Sequence, residues 1–125
     1  MLDIKGANVL IDNSGVCKLA DFGSSKQIND KKEGTLIGTV NWMPPEVIKQ
    51  INSGRFADIW SLGCTVIEIA SGKPPWTEYA GSNAFAMMYQ IVNSNKSPKI
   101  PDYLSLPAQD FLRNCLQLIK NNLIY

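Results

Sequence analysis

The chain has 125 residues, 45% of them hydrophobic, and a formal net charge of +1 from 12 basic and 11 acidic side chains. That is long enough for one compact domain with a core, and the balanced charge offers no footprint for nucleic acid or an anionic membrane. The absence of histidine excludes histidine-based zinc sites and histidine-dependent catalytic triads.

Met1-Leu2 runs straight into polar Asp3 and Lys5, which is unlike a secretory signal. Asp3-Ile4-Lys5-Gly6-Ala7-Asn8 comes next, with Gly6 expected to relax the backbone. Val9-Leu10-Ile11 and Val16-Cys17-Lys18-Leu19-Ala20 are short β-type runs. Asp12-Asn13-Ser14-Gly15 between them is turn chemistry, so the pair predicts a hairpin. Asp21-Phe22-Gly23 succeeds the second run. Ser24 to Gly38 is polar, with a charged centre at Asp30-Lys31-Lys32-Glu33, and predicts a mobile surface loop.

Pro44-Pro45 opens a short helix through about Lys49. Arg55 to Ser71 predicts the longest helix. Ile59, Trp60, Leu62, Val66, Ile67 and Ile69 spread around most of its circumference, which predicts an interior helix. Gly72 is its expected terminator, and Pro74-Pro75 blocks continuation. The longest apolar stretch, Ile59 to Ala70, is interrupted by Ser61 and Glu68 and falls short of the roughly 20 residues of a membrane helix. Asn83 to Asn93 predicts a helix with Phe85, Met88, Ile91 and Val92 at helical spacing, serving the core rather than docking. After prolines 98, 101 and 107, a third helix is expected over about Ala108 to Ile119, with Phe111, Leu112, Cys115, Leu116 and Ile119 as its stripe. Trp42, Trp60 and Trp76 are expected to pack. Cys17, Cys64 and Cys115 are expected to be buried, reduced thiols of a cytoplasmic or nuclear protein.

Chemistry concentrates between Asp3 and Gly23. Phosphoryl transfer needs a carboxylate to orient a hydroxyl and accept its proton, a cation near the γ-phosphate, and oxygen ligands for magnesium. Asp3, Lys5, Asn8 and Asp21 are of those types. Each also has a plain structural reading, with Asp3 and Asn8 capping turns and Asp21 starting a turn with Gly23. Only the combination across a hairpin is specific.

That combination resembles the catalytic region of a eukaryotic serine/threonine protein kinase. Asp3-Ile4-Lys5-Gly6-Ala7-Asn8 is similar to the catalytic loop, and Asp21-Phe22-Gly23 to the metal-binding triplet. Gly38-Thr39-Val40-Asn41-Trp42-Met43-Pro44-Pro45-Glu46 resembles the end of the activation segment, with Pro44 where the family usually has alanine. Asp58-Ile59-Trp60-Ser61-Leu62-Gly63-Cys64 resembles the central helix of the large lobe, and Gly72-Lys73-Pro74-Pro75-Trp76 resembles the segment after that helix. Ala20 to Lys26 and the Gly-Lys-Pro-Pro-Trp string most resemble mitogen-activated protein kinase kinase kinases.

The resemblance implies a mainly α fold with a small β-hairpin: a partial protein-kinase-like fold of the large, C-terminal lobe only, over residues 1–125. It makes residues 24–46 the activation segment and 118–125 a divergent tail. It implies ATP and Mg2+ as cofactors, a protein serine or threonine as acceptor, and upstream kinases or scaffold proteins as partners. Asp3 becomes the base and Lys5 the neutraliser of the transferring phosphoryl group. Asn8 and Asp21 become magnesium ligands, and Thr39 a pocket residue beside Asp3 and Lys5. Asp58 is expected to anchor the catalytic loop through backbone N–H groups, with Glu46 and Gly23 as structural supports. Thr35, Ser24 and Ser25 are candidate phosphorylation sites.

The chain also departs from the family. Met1-Leu2 stand where the family has His-Arg, so a phosphate at Thr35 would lack its usual arginine. The 125 residues contain no glycine-rich nucleotide loop and no small-lobe lysine–glutamate pair. Leu118 to Tyr125 replace the segment with the arginine that pairs with Glu46. These departures predict negligible activity and marginal folding for the chain alone, and they leave a non-catalytic, pseudokinase-like or truncated regulator as the alternative.

Overall fold

The computed structural model describes residues 2–20, 37–51 and 54–119, and of residues 37–39 the backbone alone. Strands β1 (Val9–Ile11) and β2 (Cys17–Leu19) pair antiparallel, with Val9 opposite Leu19 and Ile11 opposite Cys17. The hairpin closes as its turn residues dictate. The Asp12 carboxylate accepts the N–H groups of Ser14 (2.8 Å) and Val16 (3.0 Å), and Gly15 takes a left-handed φ of 81° that favours glycine. All of β2 faces water. Cys17 is therefore exposed, against expectation, whereas Cys64 and Cys115 are buried free thiols as expected.

A 3-10 segment (Ile37–Trp42) leads into α1 (Pro45–Ile48). Pro45 fits the first helical position because the missing N–H has no intrahelical partner there. The central helix, α2, spans Arg55–Ser71, and Gly72 ends it with a φ of 73°. The Gly72 N–H donates to the Glu68 carbonyl at 2.8 Å, a left-handed termination.

The face of α2 carrying Ala57, Trp60, Cys64 and Ile67 is buried. The opposite face is not: Ile69 is 67% exposed, and Ile59 and Leu62 are exposed with it. The expectation of an interior helix fails on the face that carries Ile59, Leu62 and Ile69, while the last helix (Leu106–Cys115) packs at Gly63 and the 3-10 segment at Ser61.

Helix α3 (Ala84–Ser94) starts at Asn83, whose side chain accepts the Ala86 N–H at 2.8 Å. Met87 and Ile91, one turn apart, are its buried residues, while Phe85 is 71% exposed. The inward stripe is rotated from the expected one, and Met87 takes the place assigned to Phe85.

The last helix, α4 (Leu106–Cys115), begins two residues earlier than expected. Ser105 caps it and Pro107 sits in its first turn, a position that tolerates proline. It stops at Cys115, so Ile119 lies beyond it. Leu112, Cys115 and Leu116 point inward, and Phe111 is exposed.

The core gathers Trp60, Cys64 and Ile67 of α2 with Val40, Trp76, Met87, Ile91, Leu112, Cys115 and Leu116. Trp42 packs against its edge, so the three tryptophans serve packing. Gly63 makes the α2–α4 contact possible: a Cβ there would lie 2.8 Å from the Cys115 Cβ. Ser61 Oγ donates to the Trp42 carbonyl at 2.8 Å, tying the end of the 3-10 segment to α2. No helix among the described residues is long and apolar enough to cross a membrane.

Candidate active site

The loop before β1 is built by alternation. Lys5 has extended backbone, with φ −158° and ψ 164°. In an extended chain successive side chains face opposite ways. Ile4 is buried, while Asp3 and Lys5 on either side are part-exposed. The Asp-x-Lys spacing therefore brings the carboxylate and the ammonium together, with Asp3 Oδ2 and Lys5 Nζ 3.4 Å apart.

A 3-10 turn over Gly6–Asn8 then folds the chain back. Asn8 Nδ2 donates to the Asp3 carbonyl at 2.8 Å and to Asp3 Oδ2 at 3.3 Å. Both partners only accept, so the amide nitrogen must be the atom facing Asp3. The Asn8 side-chain oxygen is left for another donor or for a cation. The Ala20 N–H donates to the Asn8 main-chain carbonyl at 2.7 Å and brings the end of the hairpin beside this loop.

Two carboxylates of α2 hold the loop from below. Asp58, in the first turn, accepts the Leu2 N–H at 2.9 Å. Glu68 accepts the Gly6 N–H at 2.6 Å. In the sequence Glu68 stands out only as a carboxylate that breaks the apolar run from Ile59 to Ala70. Gly6 also has a different reason from the one expected. It is not among the positive-φ residues, but a Cβ on it would fall onto the Glu68 carboxyl group. The glycine provides space rather than backbone freedom.

Glu46, in the first turn of α1, is only 7% exposed. Burial raises its pKa, opposed by its own backbone N–H and by Lys49. Among the described residues no basic group comes within ion-pair distance of it. Burial likewise pushes up the thiols of Cys64 and Cys115. Asp21, Gly23, Ser24, Ser25 and Thr35 lie outside the described residues, as does the side chain of Thr39. The structure thus brings Asp3, Lys5 and Asn8 together above Asp58 and Glu68. The hard side-chain oxygen of Asn8 is of the kind magnesium takes.

The family pattern described as the protein kinase domain matches residues 1–122. The chain is 52% identical over 118 residues to mitogen-activated protein kinase kinase kinase YODA of Arabidopsis thaliana, covering 92% of this chain and 13% of that protein. It is 48% identical over 117 residues to mitogen-activated protein kinase kinase kinase A of Dictyostelium discoideum, covering 92% of this chain and 12% of that protein. The human mitogen-activated protein kinase kinase kinase 3 is 47% identical over 116 residues, covering 89% of this chain and 18% of that protein. The chain therefore spans less than a fifth of the length of these relatives. With the catalytic-loop geometry and a match over nearly its whole length, the chain belongs to the protein kinase family and is similar to mitogen-activated protein kinase kinase kinases.

Proposed function

We propose that this chain is the large-lobe part of a serine/threonine kinase that moves the ATP γ-phosphate to a protein hydroxyl in a cascade like that of mitogen-activated protein kinases. The observation that carries the reading is the Asp3–Lys5 pair at 3.4 Å with Asn8 bonded back onto Asp3. In this reading Asp3 orients the acceptor serine or threonine and takes its proton. Lys5, already beside Asp3, faces the negative charge of the phosphoryl group in flight. Asn8 holds magnesium through the side-chain oxygen left over from its bonds to Asp3, together with Asp21. Bound magnesium supplies neutralisation of the phosphate oxygens. Thr39 shapes the pocket beside the acceptor. Asp58, Glu46 and Gly23 support the frame.

The same reading makes residues 1–125 a partial kinase domain, 24–46 its activation segment and 118–125 a divergent tail. It places Thr35, Ser24 and Ser25 as sites for an upstream kinase in the cytoplasm or nucleus, where scaffold proteins are further partners. A second reading is favoured by the exposed apolar residues of α2: a non-catalytic regulator that binds the kinase's partners through such a surface.

The test replaces the matching segment of the human relative with residues 1–122 and follows labelled phosphate from Mg-ATP into protein. The catalytic reading expects label on serine or threonine. Label on tyrosine alone, or none from a folded chimera, sinks it and leaves the regulator. The 125 residues by themselves are expected to transfer a negligible amount. Turnover by the chain alone that Asp3→Asn abolishes would refute that expectation.

A further inference from the structure

We infer that Glu68 is a positioning residue for the catalytic loop, a second clip that works with Asp58 to hold Asp3 and Lys5 in register along α2. Asp58 and Glu68 are ten residues apart on one helix, which separates them by about 15 Å along its axis. Their partners, the N–H groups of Leu2 and Gly6, are only four residues apart in sequence. Four residues span at most about 14 Å when fully extended. The Asp58 and Glu68 side chains bridge the remainder, and a loop laid along the helix with the extended backbone seen at Lys5 reaches both clips.

Asp3 and Lys5 lie between the two clips. An extended segment fixed at both ends cannot rotate one of its side chains to the other face without releasing an end. Asp58 holds the start of this segment, and the Ala20 N–H on the Asn8 carbonyl holds its far end to the hairpin, but neither ties the Gly6 backbone to α2. Glu68 supplies that tie with a charge-assisted bond at 2.6 Å. Its carboxylate also occupies the space a Cβ on Gly6 would need, so clip and glycine specify each other. Glu68 is thus a loop-holding group.

The bearing on catalysis rests on the phosphotransfer role proposed for Asp3. The clip itself can be read in the Gly6 amide whether or not the chain transfers phosphate. The full chain, labelled with 15N-glycine and 13C-glutamate, carries its own control. The Gly72 N–H donates to the main-chain carbonyl of the same Glu68, so it reports on the helix and not on the side chain. In the unmutated chain, scalar coupling across the hydrogen bond should link Gly6 nitrogen to the Glu68 side-chain carboxyl carbon. Absence of that coupling overturns the inference.

Glu68→Ala should move the Gly6 amide proton upfield and speed its hydrogen exchange at least tenfold, with Gly72 unchanged. Glu68→Gln, which keeps an acceptor oxygen, should restore most of the protection. A Gly6 amide that does not respond to Glu68→Ala, or that moves only in step with Gly72, contradicts a clip. So does a Glu68→Gln variant as unprotected at Gly6 as the alanine variant.

Discussion

Gly63→Ala sets two effects of known size against each other. Alanine gains about 1 kcal/mol over glycine in helix propensity. The new methyl would sit 2.8 Å from Cys115 Cβ and 3.0 Å from Leu116 Cδ2. Comfortable carbon–carbon contacts are about 3.5–4.0 Å, so α2 and α4 must part by roughly 1 Å. Leu116 can turn its methyl aside, but the Cys115 Cβ is fixed by its own backbone and α4 must move as a body. Overpacking of this kind costs about 1–3 kcal/mol, and the rigid neighbour places it in the upper half. The net loss is then about 1–2 kcal/mol, a factor of about 5–30 in the opening equilibrium. Native-state hydrogen exchange reads this locally. The Cys64 and Thr65 amides should exchange about 5–30-fold faster, and Leu116→Ala in the same background should recover little of the loss. Slower exchange in Gly63→Ala would show the propensity gain acting unopposed, and α2 and α4 would not meet as described.

Glu46→Gln should stabilise the fold at neutral pH. The folded pKa of Glu46 is raised from its ordinary 4.5, so its contribution is complete below that value and is lost as pH rises through the folded pKa. The glutamine variant escapes that loss, and in chemical denaturation its advantage should shrink on acidification; an advantage that is the same at every pH would rule out ionisation as the cause. Leu112→Ala, at a position with 0% exposure in the core, should cost about 2–5 kcal/mol. That is enough to abolish the near-ultraviolet tryptophan signal in a marginal domain, and an unaltered spectrum would speak against Leu112 as a core residue. Ile59→Lys with Ile69→Lys breaks the exposed apolar stripe of α2 and should reduce self-association in sedimentation velocity without loss of helix signal. Unchanged association would place the sticky surface elsewhere.

The local elements were legible because their signals are short-range. Proline at a helix start, glycine at its end and Asp-Asn-Ser-Gly at a turn each act through adjacent backbone groups, and α1, α2 and the hairpin form where those residues put them. Helix faces were less legible, because the inward side depends on what packs there. Phe85 and Phe111 fit apolar spacing yet face solvent, and Met87 does the inward work. The apolar circumference of α2 predicted neighbours on all sides, but the face with Ile59, Leu62 and Ile69 is exposed. At the site, Asp3, Lys5, Asn8 and Asp58 were recognisable by residue type and order. Glu68 was not, since its role is a contact across 62 positions of sequence that only the course of the loop along α2 creates. The reason for Gly6 was hidden by the same cause: the obstacle it avoids is a distant side chain.

The central claim is that Asp3, held beside Lys5 and Asn8, is the group that activates the acceptor hydroxyl. The most direct measurement is kcat and the KM for Mg-ATP of the chimera carrying residues 1–122, with and without Asp3→Asn. Loss of general-base assistance should lower kcat by about 10²–10⁴, with the KM for Mg-ATP nearly unchanged, because Asp3 acts on the acceptor and not on nucleotide binding. A chimera whose Asp3→Asn variant transfers phosphate as fast as its parent would contradict the account.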